Sequence, residues 1–492
     1  MSQQFNVSIR GYERKAVLVA TVAIFVIGLT AAALPLDGTI TFSLIGLLVI
    51  LTLIAPMAAL GTLLVLAPLR TLIATESQFA LPLDIGQLVL IASLAIWFIA
   101  SVSHGKSKLR HFWTPVSGAL IAFLLITGLS AFNALSLSSW LSEWLKWAQM
   151  LLVITCILNL PPTYEKWQWV LFIIVMSGTA NAIVGIYQFF GGSGAIHLLI
   201  NDRFFRAFGT FGQPNPFGGF MGMTLPLSVA GFIGYALQLG KYSKHRTITY
   251  HILITYYFLC SLLLIAGIIM SWSRGAWLGL TGAVFAAAFM FPRNRRLGLI
   301  ALAFFAAVTI FVWSMGLIPT SLVDRLVTST TEYFAIEDVR GVDITPLNYA
   351  VMERLAHWQA AVNMAANNSL LGIGFGNYEI AYSQYRLLNW TESLGHAHNY
   401  YLNLLAEIGV LGLIGYGKVI FSILSMLAKA LAHPDDMARL LVIGVFSSWI
   451  YILIHSIFDN LFVNNLFLHM AVILSIGILL YNEASAGIRI IE

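Results

Sequence analysis

Charge is scarce in this sequence. Of its 492 residues only 10% are Asp, Glu, Lys or Arg, while 59% are hydrophobic; a soluble domain carries about a quarter charged residues. So few ions cannot solvate a large globular surface, which excludes a sizeable soluble domain. Cysteine is almost missing. Cys156 and Cys260 both sit inside apolar stretches, so they read as small buried hydrophobes and offer no redox or zinc site. There is no Walker-type phosphate loop, no HExxH or CxxC cluster and no GxSxG elbow. The chemistry is therefore expected to need neither ATP nor a tightly held metal. The alternating segments of a membrane β-barrel are also absent.

What remains is apolar length. Mean hydropathy is +0.85, and apolar stretches of about 20 residues recur from Lys15 to Tyr481, each long enough to cross a hydrocarbon layer of about 30 Å. The run after Arg10, Arg14 and Lys15 exceeds a signal-peptide core and is read as a retained first helix. The net charge of +5 carries no message about nucleic acid, because the membrane explains its distribution. Basic clusters occur at Arg10/Arg14/Lys15, Lys106/Lys108/Arg110, Lys241/Lys244/Arg246, Arg293/Arg295/Arg296 and the Lys429–Arg439 turn. Placing them all inside predicts spans at 15–35, 40–54, 56–73, 84–103, 114–133, 140–160, 167–190, 216–239, 249–270, 275–291, 298–315, 399–428, 439–457 and 463–481, with both termini cytoplasmic. Ala55-Pro56 interrupts 40–73, where two short spans and a re-entrant hairpin fit equally.

The fold class is thus all-α, a polytopic integral membrane protein of about 12 to 14 transmembrane helices with one long, partly helical extracytoplasmic loop. Residues 1–190 are read as the N-terminal helices, 191–481 as the transmembrane region that holds the candidate site, with its loop 316–398, and 482–492 as a cytoplasmic tail. Within the loop, Tyr349–Asn367 has apolar residues at helical spacing, and a glycine-rich turn, Gly372-Ile373-Gly374-Phe375-Gly376-Asn377, follows it. On this map the outer loops hold no lysine. Their cations are arginines, including Arg203, Arg206, Arg274, Arg325, Arg340, Arg354 and Arg386, whose guanidinium forks suit phosphate.

Three places carry the chemistry. His398-Asn399 stands at the mouth of a span that contains Gly409, Gly412 and Gly415, glycines placed for close helix packing. The histidine is a base or polar anchor at the outer surface, or simply a helix cap, and His396 can share its role. Arg206 precedes Asn215-Pro216, where Asn215 is placed to cap a helix whose free N–H groups favour an anion. Arg274 lies in Ser273-Arg274-Gly275, a junction so tight that its guanidinium must sit at the membrane surface. For both arginines the alternative is an interfacial cation among aromatic residues. Glu143 and Lys146 are spaced to pair on one helix face, Glu407 is read as a buried polar contact, and His455 and Asp459 are cavity-lining candidates.

Together these residues resemble the O-antigen ligase and polymerase superfamily. His398, Asn399, Gly409 and Gly412 match the ligase pattern of His, a polar residue, nine residues, Gly, two residues, Gly. Arg274 in Ser-Arg-Gly matches one essential arginine of that family, and Arg206 matches the other, with Arg203 competing. The resemblance covers roughly 200–480. It implies a metal-independent, cofactor-free inverting glycosyltransferase in a bacterial cytoplasmic membrane, with its active site facing the periplasm. The donor would be a glycan on undecaprenyl diphosphate, drawn from among the membrane lipids. The acceptor would be lipid A-core, a second glycan or another hydroxyl. His398, Arg274 and Arg206 would be catalytic, and Arg203, Asn399, His396 and Asn215 would bind substrate. Ligation is the expected reaction and polymerisation the alternative. The rival class, a bicarbonate-like anion transporter, would place its polar residues at the bilayer midplane and show an inverted repeat.

Overall fold

The computed structural model describes residues 113–159, 166–192, 195–200, 203–239, 247–316, 338–345 and 348–486, with short stretches at 60–61, 64–65, 67–69, 91 and 94–95. The expected spans 15–35, 40–54, 56–73 and 84–103 lie largely or wholly outside the described residues, as do the three N-proximal basic clusters, Arg325 and 487–492.

The apolar runs become helices wherever the structure describes them. They are α1 (Pro115–Leu129), α2 (Leu137–Asn159), α3 (Lys166–Tyr187), α4 (Pro214–Leu239), α5 (Thr247–Met270), α6 (Arg274–Met290) and α7 (Arg295–Ser314). Two loop helices follow, α8 (Tyr349–Asn367) and α9 (Tyr378–Tyr385), and then α10 (Tyr400–Ala430), α11 (Asp436–His455) and α12 (Leu466–Ala486). Among the described residues nine helices are long and apolar enough to cross a membrane, and α6 is a shorter apolar one. This is an all-α polytopic membrane protein. The one sheet among the described residues is a two-residue antiparallel pair, β1 (Leu199–Ile200) with β2 (Phe204–Phe205).

Local chemistry sets several starts. Thr114 and Ser117 form a reciprocal capping box before α1, with Pro115 at its first position. Asp435 caps α11 by accepting the Ala438 N–H at 2.8 Å. α4, α5, α6 and α11 pack on one another at the centre, α10 lies against α1, and α2 against α12. At the far end of α6, Arg439 donates to the carbonyls of Met290 (2.6 Å) and Phe291 (2.9 Å). Arg293 pairs there with Asp436 at 2.9 Å. The Arg293/Arg295/Arg296 cluster and the Lys429–Arg439 turn therefore share one end of the bundle, opposite Arg274 at the other end of α6.

The loop joins the bundle through a break in α10. Gly409 has φ +63°, and a Cβ there would collide with the Leu370 carbonyl. The break frees backbone groups, and the glycine-rich turn takes them up. Val410 N–H donates to Ser369 O (2.8 Å), while Ile373 and Gly374 donate to the carbonyls of Ala406 and Glu407 (3.0 Å each). Gly409 thus serves a backbone junction; the close packing expected of the three glycines holds for Gly415, which faces Phe123 and Ile126. The Glu407 carboxylate accepts the Tyr378 N–H at 3.1 Å, fastening α9 beside the break. A small core of Ala360, Ala361, Met364, Tyr378, Tyr382, Ala397 and Ala406 holds α8 and α9 over the start of α10.

Candidate active site

Two arginines separated by most of two spans are brought together by the backbone. After β2 the chain turns so that Ala207 N–H donates to Met270 O at 2.9 Å, which ties it to the turn between α5 and α6. From that anchor Arg206 donates Nε–H to Ser271 O (3.1 Å) and an Nη2 hydrogen to Asn215 Oδ1 (3.4 Å). Arg274 opens α6 two residues after Trp272, whose φ of +52° makes the turn abrupt. α8 contributes a third guanidinium, Arg354. The three arginines line one cavity with Asn215, Trp272, Ser273, Gly275, Ala350, His455 and Phe458. Burial, then the neighbouring charges of Arg354 and Arg274, draw the Arg206 pKa down to about 10, which leaves it cationic at neutral pH. Concentrated positive charge at the N-termini of α4 and α6 is an arrangement that favours an anion.

A histidine cluster adjoins the cavity. His398 Nδ1 lies 3.4 Å from Asp459 Oδ1, and His396 Nε2 lies 3.6 Å from the same oxygen. Asp459 follows Phe458, which lines the arginine cavity, so the two halves of the site meet at this turn after α11. An ionised carboxylate only accepts, so His398 presents its Nδ1–H to Asp459 and keeps its lone pair on Nε2. Burial works against the Asp459 charge, but the His398 hydrogen bond and the His396, His398 and Arg354 charges hold its carboxyl well below the ordinary range. His398 itself has φ +52°. That left-handed backbone costs about 1–3 kcal/mol in a non-glycine residue and is a recurrent mark of functional positions.

The spacing of His396, His398 and Asp459, all within 4.8 Å, is one a cation can bridge. The hydrogen bonds assign the atoms otherwise. His398 N–H donates to His396 Nδ1 at 3.1 Å, so neutral His396 carries its proton on Nε2, the atom that faces Asp459. A proton, not a lone pair, fills that position. Burial, then the His398 charge, lower the His396 pKa to about 4. His357, on α8, packs its ring 5.8 Å from that of His398 and stacks on Tyr382. Its pKa falls to about 3 through burial and then the neighbouring histidines.

Most of the residues singled out from sequence converge here, with changes of role. Arg206 and Arg274 line the cavity, whereas Arg203 is exposed and lies over the Phe204 ring at 5.0 Å, away from it. α4 begins at Pro214, one residue before Asn215, so the Asn215 side chain meets Arg206 in place of capping the helix. Asn399 is the cap of α10, its Oδ1 accepting from the N–H groups of Tyr401 (3.0 Å) and Leu402 (3.1 Å). That employment fixes the backbone next to His398. Glu143 and Lys146 form their ion pair, and Lys146 also donates to Phe462 O at 3.1 Å. Sequence marks Arg354 only as one of several outer-loop arginines with forks suited to phosphate; its place in the cavity comes from α8.

Residues 259–417 match the family model described as O-antigen ligase. No curated protein matches the chain. The matched region runs from α5 into α10 and contains Arg274, Arg354 and His398, so an O-antigen ligase family domain supplies these three site residues, while Arg206, His455 and Asp459 lie outside it.

Proposed function

We propose that this O-antigen ligase-type membrane protein transfers a glycan from undecaprenyl diphosphate to an acceptor hydroxyl, with inversion and without a metal. The observation that carries the reading is the meeting of a three-arginine cavity with a carboxylate-oriented histidine. Arg206, Arg274 and Arg354 would grip the diphosphate and neutralise the charge gained as the bond to the anomeric carbon breaks. Preorganised cations of this kind suit a leaving group that departs without protonation. His398 Nε2 would take the acceptor proton while the acceptor oxygen attacks the anomeric carbon, and the electron pair of the broken bond would pass to the diphosphate. General-base assistance contributes about 10²–10⁴-fold. Asp459 would fix the tautomer and stabilise the imidazolium, as the carboxylate does in hydrolase triads.

A ligase is the preferred reading, with transfer taking place at the outer face of the cytoplasmic membrane and both termini inside. The experiment uses purified protein in nanodiscs with undecaprenyl-diphosphate oligosaccharide and EDTA, with and without lipid A-core, and follows glycan size. Transfer only when lipid A-core is present is the expected result. Donor elongation in its absence would identify a polymerase and overturn the ligase assignment.

A further inference from the structure

His455 ends α11 beneath the arginine cavity, fully buried, in the wall beside Gly275. Its partners fix its tautomer. Tyr451 Oη lies 2.7 Å from the Gly218 carbonyl and 3.1 Å from His455 Nδ1. A carbonyl only accepts, so the phenol proton goes to Gly218 and His455 must donate its own Nδ1–H to the phenol oxygen. The lone pair is therefore on Nε2. That atom is buried and has no hydrogen-bond partner. It points toward Gly275, where an added Cβ would stand 2.9 Å from Cδ2 and 3.2 Å from Nε2, so glycine at this position keeps the imidazole edge open to the cavity.

A bare lone pair facing an anion site is a mismatch. A diphosphate diester offers only acceptor oxygens, and two acceptors repel unless a proton lies between them. From this we infer that His455 is a proton-coupled ligand of the diphosphate. It is neutral in the empty cavity, takes one proton from solvent as the lipid donor enters, and donates Nε2–H to a phosphate oxygen. Empty, the site sets Arg206, Arg274 and Arg354 around His455, with Asp459 as a countercharge and Tyr451 as a neutral neighbour. A buried imidazole whose Nε2 has no hydrogen-bond partner, with three guanidiniums lining the same cavity, stays neutral. Two diphosphate charges reverse the local field and favour the imidazolium. The bound state then holds a fourth cation, matching the third negative charge that the diphosphate acquires on leaving the sugar.

The inference rests on the donor class proposed above, and its test separates the two. The probe is a short-chain prenyl diphospho-sugar, a diester whose phosphates do not titrate between about pH 5 and 9. Its binding to the full-length protein in nanodiscs is measured by calorimetry in buffers of different ionisation enthalpy. Because His455 gains its proton only in the complex, affinity is greatest at low pH and falls as pH rises through the bound-state pKa. The expected Kd rises about tenfold per pH unit in that window, with uptake of about one proton. His455→Gln carries a fixed N–H donor that does not titrate. It should keep binding within threefold at the low-pH end, flatten the profile and abolish the buffer-dependent heat. His396→Gln, beside the other titrating groups, should leave the uptake in place. Equal slopes and equal proton uptake in wild type and His455→Gln would overturn the inference while leaving the donor class intact. No binding by wild type at any pH would overturn the donor class as well.

Discussion

Replacing Asp459 by Asn tests the division of labour in the site. The substitution keeps the shape, and its amide oxygen can still accept the Asn460 N–H that Asp459 Oδ1 holds at 2.8 Å. What disappears is a negative charge 3.4 Å from His398 Nδ1. At an effective dielectric of about 20, that charge stabilises an imidazolium by roughly 5 kcal/mol. The gain is an upper bound, because Arg354 and His396 already draw on the same carboxylate. Half of it, about 2.5–3 kcal/mol, corresponds to a loss of about 10² in kcat. Donor affinity should move the other way, since the arginine cavity loses the nearby Asp459 anion, so KM for donor stays level or falls. The assay is steady-state transfer in nanodiscs with donor varied at saturating acceptor, alongside a thermal melt to establish folding. A kcat within threefold of wild type, or a loss confined to KM, would refute the assignment of Asp459 as the partner of the catalytic base.

Other outcomes follow from the same geometry. Arg354→Ala should raise KM for donor and lower kcat by about 10–10³-fold together, since the cation meets charge that grows in the transition state; Arg203→Ala, on the exposed Phe204 face, should change neither beyond about twofold in the same transfer assay. Gly409→Ala should destabilise the α10 junction by about 2–4 kcal/mol, read as a lower melting temperature and faster amide exchange at 369–374, because both its φ and the Leu370 carbonyl exclude a Cβ. His357 and His396 have folded-state pKa values of about 3 and about 4, below the unfolded value of about 6.5. The unfolded loop therefore binds more protons below about pH 6.5, so stability of the α8–α10 cap is full above that pH and falls on acidification toward about 4. Hydrogen exchange at α8 should accelerate over that range, and a His357→Phe/His396→Gln pair should remove most of the effect.

The bundle was readable in sequence because membrane helices must satisfy their own backbone, which leaves apolar length as a dominant signal. From 114 to 481 each expected span coincides with a helix, and the loop helix Tyr349–Asn367 carries its apolar face as the spacing predicts. The break at Gly409 was not readable, since a run as apolar as Tyr400–Ala430 looks continuous and only the docked turn at 369–374 shows where it parts. Arg354 and the pairing of His398 with Asp459 were also hidden. They depend on the loop folding back over the end of α11, a contact across 61 positions that leaves no local pattern. Asn399 was legible as a polar residue at a span start, and its capping role is the simplest use of that position.

The most direct test of the central claim measures undecaprenyl diphosphate released by purified protein in nanodiscs with EDTA and a mixture of lipid A-core and glycan acceptors, for wild type, Arg274→Ala and His398→Ala. The account requires release coupled one-for-one to glycan transfer in wild type, loss of donor binding in Arg274→Ala, and retained donor binding with transfer slowed at least about 10²-fold in His398→Ala. Near-normal release by His398→Ala, or transfer that ceases in EDTA and returns with a divalent ion, would contradict it.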